Sequence, residues 1–262
     1  MSASNITRHF NKIGARVSVH PHNGRGANNG VTIDIRRDGA GEYFDIALGR
    51  DDVELTVMDV QPQLRHLLLM SRTSRLSKFL CGHDERHWFV AAVPEIAHAS
   101  NVASAFEALK PPQIRAELIR KNVRKKNRNR RRNEAFLRQG EWFFVRVDRN
   151  FPELLILRNE PISRGRGKPH LCEELVRSGG EQVYLSARYR RGVTEAEYRD
   201  LIRNKPQLAH ERWVVQRRNP EVYVRGRVRH SDHKTITLDG WHRVLMNTEH
   251  QAHAMRDVVF LD

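Results

Sequence analysis

VTIDIRRDGAGEYFDIAL, residues 31–48, is the stretch on which the reading of the fold turns. Val31, Ile33 and Ile35 alternate with Thr32 and Asp34, the period of a strand that buries one face. Asp38-Gly39-Ala40-Gly41 then supplies the small, φ-permissive residues of a tight hairpin leading into EYFDIAL. Segments of the same kind lie on either side: ARVSVH (15–20), VELTVMDV (53–60), HLLLMSR (66–72), KFLCG (78–82) and HWFVAAV (87–93). Each is short, rich in β-branched or aromatic residues and bounded by turn formers. An antiparallel meander is the simplest topology for them. A helix over Asn5–Ile13 ending at Gly14, and a second capped by Ser100 or Asn101 and running to Leu109, complete a β-rich unit over residues 1–110.

After residue 140 the strand signals return in EWFFVRV (141–147), ELLILRN (153–159), HLCEELVR (170–177), EQVYLSAR (181–188), WVVQRR (213–218), EVYVRGRVR (221–229), KTITL (234–238) and WHRVLMN (241–247). Thr194 followed by Glu197 forms a capping box for one inserted helix. The expected fold class is therefore α+β: two β-rich antiparallel lobes, 1–110 and 140–262, joined by a helical, strongly basic middle segment, 111–139.

Forty-six Lys and Arg against thirty-one Asp and Glu give this 262-residue chain a formal charge of +15. Such a field attracts polyanions, and nucleic acid is the commonest of these. The N-terminal MSASNITRHF has no apolar core for a secretory signal. No run approaches the roughly eighteen apolar residues of a membrane span. Two cysteines cannot build a disulfide framework. A cytoplasmic protein with no membrane span is the expectation.

The charge is densest in RKNVRKKNRNRRR, residues 120–132, where nine of thirteen residues are Lys or Arg. The helix leading in has an apolar half carrying Ile114, Leu118, Ile119 and Val123, with Arg120, Lys121 and Arg124 opposite. From Arg124 to Arg132 no residue is apolar, so Arg124, Lys125, Lys126, Arg128, Arg130, Arg131 and Arg132 are expected to face solvent or phosphate. A second strip is formed by Arg164, Arg166 and Lys168 in SRGRGKPH and by Arg225, Arg227 and Arg229, which alternate along one strand. SRGRGKPH is not a nucleotide phosphate loop, because Pro169 follows Lys168 and the glycines are too close together. With no helix-turn-helix or zinc finger readable, RNA is favoured slightly over duplex DNA as the partner.

Two clusters carry possible chemistry. In CGHDERHW (81–88), Cys81, His83 and His87 are suited to zinc, and His83, Asp84, Glu85 and His87 to acid–base work. The competing reading makes HDER the solvated tip of a hairpin joining KFLCG to HWFVAAV. The other cluster is His230, His233 and His242, which folding can bring near His170 and Cys172. The text RHSDHKTITLDGWHRVLMNTEH resembles HNH-type metal nucleases in its histidines and Asn247. It departs from them in having no Cys pairs and no clear metal-binding helix after Asn247. That resemblance implies a divalent metal, zinc among the candidates, whereas composition alone implies no cofactor. Nucleic-acid binding is thus the first expectation. A metal-dependent nuclease is the rival, and a basic scaffold for an acidic protein is the third reading.

Overall fold

The computed structural model describes residues 3–21, 30–49, 53–164 and 167–253. The loop at 22–29 and Arg166 of the second basic strip lie outside the described residues. The described residues form a strand-rich α+β structure with four sheets. It opens with α1 (Ala3–Lys12) and β1 (Arg16–Pro21). The hairpin of 31–48 forms as its sequence dictates. β2 (Val31–Asp38) and β3 (Gly41–Leu48) pair antiparallel around Gly39-Ala40, and the Ala40 N–H donates to Asp38 Oδ1 at 2.9 Å. β1 joins the other edge of β3 in parallel, not in the meander the sequence suggested.

β4 (Glu54–Gln61), β5 (His66–Arg72), β6 (Leu76–Asp84) and β7 (His87–Val93) make a continuous antiparallel meander. Both of its faces are covered. Leu67, Leu69, Phe79, Cys81 and Val90 pack against α1 and the first sheet. Leu68, Leu80, Ala91 and Val93 pack under α2 (Val102–Ala108), whose N-cap Asn101 forms a capping box with Ser104. Burial on both sides explains why HLLLM and FVAAV are continuous apolar runs instead of alternating ones.

The middle segment departs from its expected helix. α3 (Pro112–Arg120) buries Ile114 and Leu118 and leaves Ile119 exposed. Asn122 then adopts a left-handed conformation (φ +48), and a single 3-10 turn follows at Lys125–Asn127. Without apolar residues to dock, and with like charges crowded together, the chain has little to stabilise further helical turns.

β8 (Leu137–Gln139), β9 (Trp142–Arg146), β10 (Leu157–Ile162), β11 (His170–Ser178), β15 (Glu221–Arg229) and β16 (Ile236–Met246) form an antiparallel six-stranded sheet in the order β10-β11-β15-β16-β9-β8. KTITL and WHRVLMN, two segments in the sequence, merge into the single long β16. Between β11 and β15 the chain makes a smaller sheet of β12 (Glu181–Leu185), β13 (Val193–Thr194) and β14 (Val214–Arg218), with α4 (Glu195–Asn204) capped by Thr194 and Glu197 as expected. After β16 the chain returns to the N-terminal sheets. Thr248 Oγ1 donates to the Ala108 carbonyl at 2.7 Å, and the buried Glu249 carboxylate accepts the Ala92 N–H at 3.2 Å. Among the described residues, no helix is long and apolar enough to cross a membrane.

Candidate metal centre and its surroundings

The site is assembled where the β6–β7 turn reaches the six-stranded sheet. The turn carries Asp84 and Glu85, and the sequence reading of a solvated tip is corrected here. Both side chains are about five-sixths buried, and Arg131 lies between them, one guanidinium nitrogen on each carboxylate. Arg138 Nη2 adds a second contact to Asp84 at 3.3 Å, and the Lys234 backbone N–H donates to Glu85 Oε2 at 2.6 Å. Burial lowers the Arg131 and Arg138 pKa values to about 10, so both remain charged at neutral pH. Arg131, expected at a phosphate, is thus held by the protein's own carboxylates.

Behind Glu85 three histidines converge. His170 begins β11, while His230 and His233 lie on the turn between β15 and β16. One ring nitrogen from each lies within 4.8 Å of the others, and all three residues are buried. The rings stack: His170 and His230 have centroids 4.2 Å apart, and His230 and His233 4.7 Å. Burial, reinforced by the neighbouring imidazoles, lowers the pKa of His170 to about 3 and that of His233 to about 4. Burial also lowers His230, against a backbone hydrogen bond with Lys168 and the nearby Asp232 carboxylate, which raise it. All three are therefore neutral at physiological pH, the form that ligates metal.

Neither nitrogen of His170 has a hydrogen-bond partner among the described residues, and neither does His230 Nε2. A buried polar atom left without a partner costs about 1–3 kcal/mol, which a metal ion would offset. Gly140, between β8 and β9, completes the arrangement. A Cβ there would stand 2.9 Å from His233 Nε2 and 3.5 Å from His170 Nε2. Two ligand nitrogens thus face a space that only glycine leaves open. Tetrahedral zinc needs its ligand nitrogens about 3.4 Å apart, so the rings would close by at most about 1.4 Å around an ion. The cluster could hold a metal. Comparison with known proteins finds no matching family model, curated protein or solved structure.

The remaining candidates stand elsewhere. Cys81 is in the N-terminal core, its thiol pushed far up by burial. His83 packs edge-on against Trp88, and His87 Nδ1 bonds Glu42 at 2.6 Å, so Cys81, His83 and His87 form no ligand set. His242 is buried on β16 and bonds the Gly240 carbonyl, outside the cluster. Cys172 lies in the core of the large sheet, its thiol pushed up to about 12 by burial.

The second basic strip is largely neutralised. Arg225 pairs with Glu174 at 2.5 Å and lies over the Trp241 ring, Arg227 pairs with Glu173, and Arg229 bonds Asn159. Arg164 is bound to Glu249 and Lys168 to Asp232. Arg120 pairs with Glu117, and Arg128 Nε donates to the Val123 carbonyl. Lys121, Arg124, Lys125, Lys126, Arg130 and Arg132 are exposed and have no carboxylate partner among the described residues.

A cavity of about 60 Å³ has Gly140, Asp84 and Arg138 in its lining. Phe89, Phe106, Phe136 and Phe143 form its apolar side, and Lys110, Arg138 and Arg164 are among its cations. Glu249 and Lys110, both nearly inaccessible, went unnoticed in the sequence. The only available signal for Lys110 was its place at the end of an apolar helix.

Proposed function

We propose that this chain is a metal-dependent nuclease that holds one zinc-type ion on His170, His230 and His233 and acts on nucleic acid, RNA ahead of DNA. The three buried, neutral imidazoles around the space above Gly140 carry this reading. Three protein ligands leave a coordination position for water, the pattern of catalytic zinc sites, whereas structural sites fill all four. When bound, the ion supplies a Lewis acid and lowers the pKa of its water. The chain's own part is to keep the imidazoles neutral and dry and to present cations beside them. The six unpaired cations of 121–132 belong to the segment that Arg131 fastens to the turn beside His233. In this reading residues 1–110 and 140–262 are two lobes, and 111–139 is the basic joint along which the substrate backbone runs.

The test uses protein purified without chelator. Metal content by mass spectrometry should approach one zinc per chain, and labelled single-stranded RNA should be cut. His170→Ala and His233→Ala should lose both metal and cleavage while still binding RNA. A metal-free wild type that regains no cleavage on adding zinc, manganese or magnesium overturns the proposal. The unpaired cations favour a second reading, a nucleic-acid-binding protein without chemistry, which predicts salt-sensitive binding in the absence of cleavage.

A further inference from the structure

Glu85 has a backbone conformation that its residue type disfavours. It sits at φ +48, in the left-handed region where glycine or asparagine is expected at a tight turn. A glutamate kept there is held by its surroundings, and every partner found for it acts on its carboxylate. Arg131 pairs with one oxygen, while the Lys234 N–H donates to the other at 2.6 Å. That second oxygen, Oε2, also stands 3.8 Å from His233 Nδ1. His233 Nε2 is on the opposite edge of the ring, facing the space above Gly140 that His170 Nε2 shares.

We infer that Glu85 is the positioning residue of the metal centre: its carboxylate accepts the Nδ1 proton of His233 and so aims Nε2 at the ion. The inference rests on the metal reading above. A metal on Nε2 requires the ring's proton to be on Nδ1, and the Glu85 carboxylate stands 3.8 Å from that atom. At 3.8 Å the pair is too far apart for a hydrogen bond. A shift of the Glu85 carboxylate of about 1 Å toward the ring would bring Oε2 within reach of the Nδ1 proton. Partners of this kind fix the orientation and tautomer of a metal-bound histidine and increase its basicity. The ion pair with Arg131 and the Lys234 N–H hold the carboxylate at the ring, and the left-handed backbone at Glu85 is where the turn delivers it. Asp84, one residue earlier, shares Arg131 with Glu85 but is paired onward to Arg138.

The experiment compares zinc affinity, by competition with a chromophoric chelator, in the full-length wild type, Glu85→Gln, Asp84→Asn and His233→Ala. Visible spectra of the cobalt-substituted proteins report the ligand set, and circular dichroism with thermal melting confirms folding. Glu85→Gln should weaken zinc binding about 10–100-fold while keeping the wild-type cobalt spectrum. Asp84→Asn should stay within about threefold of wild type, the margin that separates a local ion-pair effect from loss of such a partner. Zinc affinity in folded Glu85→Gln equal to that of wild type overturns the inference. So does an equal loss in Asp84→Asn, which would make the effect one of ion pairing in general. A Glu85→Gln cobalt spectrum matching His233→Ala would make Glu85 a ligand and also overturns it. A wild type that takes up no metal removes the metal reading and this inference together; the other outcomes remove the inference alone.

Discussion

Lowering the pH from 7 to 5 should destabilise the metal-free protein by an amount set largely by its buried histidines. The folded-state pKa of His170 is near 3 and that of His233 near 4, both depressed by burial. Unfolded, each titrates near 6.5. A base with a depressed folded pKa contributes stability above its unfolded pKa. That stability is lost as pH falls from about 6.5 toward the folded value, because only the unfolded chain takes up the proton. Between pH 7 and 5 each histidine accounts for about 2 kcal/mol, about 4 for the pair. His66, also lowered to about 4 by burial, adds a similar amount. A total near 6 kcal/mol is comparable with the whole stability of an ordinary domain. Urea melts at pH 7, 6 and 5, on chelator-treated protein at constant ionic strength, measure the slope. His170→Gln removes one of the three contributions and should flatten it by about a third, which separates the cluster from general charge repulsion at +15. A loss below about 1 kcal/mol over the two pH units would mean that the imidazoles are hydrated or already protonated, and the basis for a neutral ligand set would fall.

Three further outcomes are expected. Gly140→Ala places a methyl group 2.9 Å from His233 Nε2 at φ +55. It should cost about 1–2 kcal/mol in a thermal melt and weaken zinc binding at least about tenfold; unchanged affinity would move the ion's position away from Gly140. The double variant Asp84→Asn/Glu85→Gln should cost about 2 kcal/mol in urea, a figure discounted for the third of Arg131 that remains exposed. A cost within about 0.5 kcal/mol would return the turn to a solvated tip. Changing Arg124, Lys125, Lys126, Arg130 and Arg132 together to Gln should leave the fold intact and make the log–log salt slope of RNA binding shallower by about 3.5; an unchanged slope would show that these side chains do not meet phosphate.

The elements were legible where local chemistry decided them. The 31–48 hairpin, the Asn101 and Thr194 caps and the β4–β7 meander follow from alternation, turn residues and capping boxes within a few residues of one another. The parallel placement of β1 on β3 was not legible, because nothing in ARVSVH says which edge it joins. The helix through 124–132 failed for a reason visible in the text: no apolar residue there could anchor it. The Arg225, Arg227 and Arg229 strip reads as free charge in the sequence, yet β11 sets Glu173 and Glu174 against Arg227 and Arg225. Pairing across strands fifty residues apart has no signature in a single sequence.

The histidine cluster shows the same division. His230 and His233 stood out, being three residues apart, but His242 was grouped with them by proximity in sequence, although its place in β16 puts it outside the cluster. His170 completes the set from sixty residues upstream, Gly140 opens it, and Glu85 reaches it from the N-terminal sheets. Histidines sixty residues apart cannot form the site in an unfolded chain, so an ion bound here would bind the folded state alone. Its binding free energy then adds to folding stability, by about 4 kcal/mol when zinc is present at a thousand times its dissociation constant. That gain is similar in size to the acid-sensitive contribution of His170 and His233. The same buried imidazoles would be protected by high pH without an ion and by zinc with one. A melting temperature that rises with zinc at pH 7 and still rises with it at pH 5 is the joint signature of that arrangement: in the folded chain protons reach His170 and His233 only near 3 and 4, so at pH 5 acid acts on the unfolded state and leaves these two side chains open to zinc.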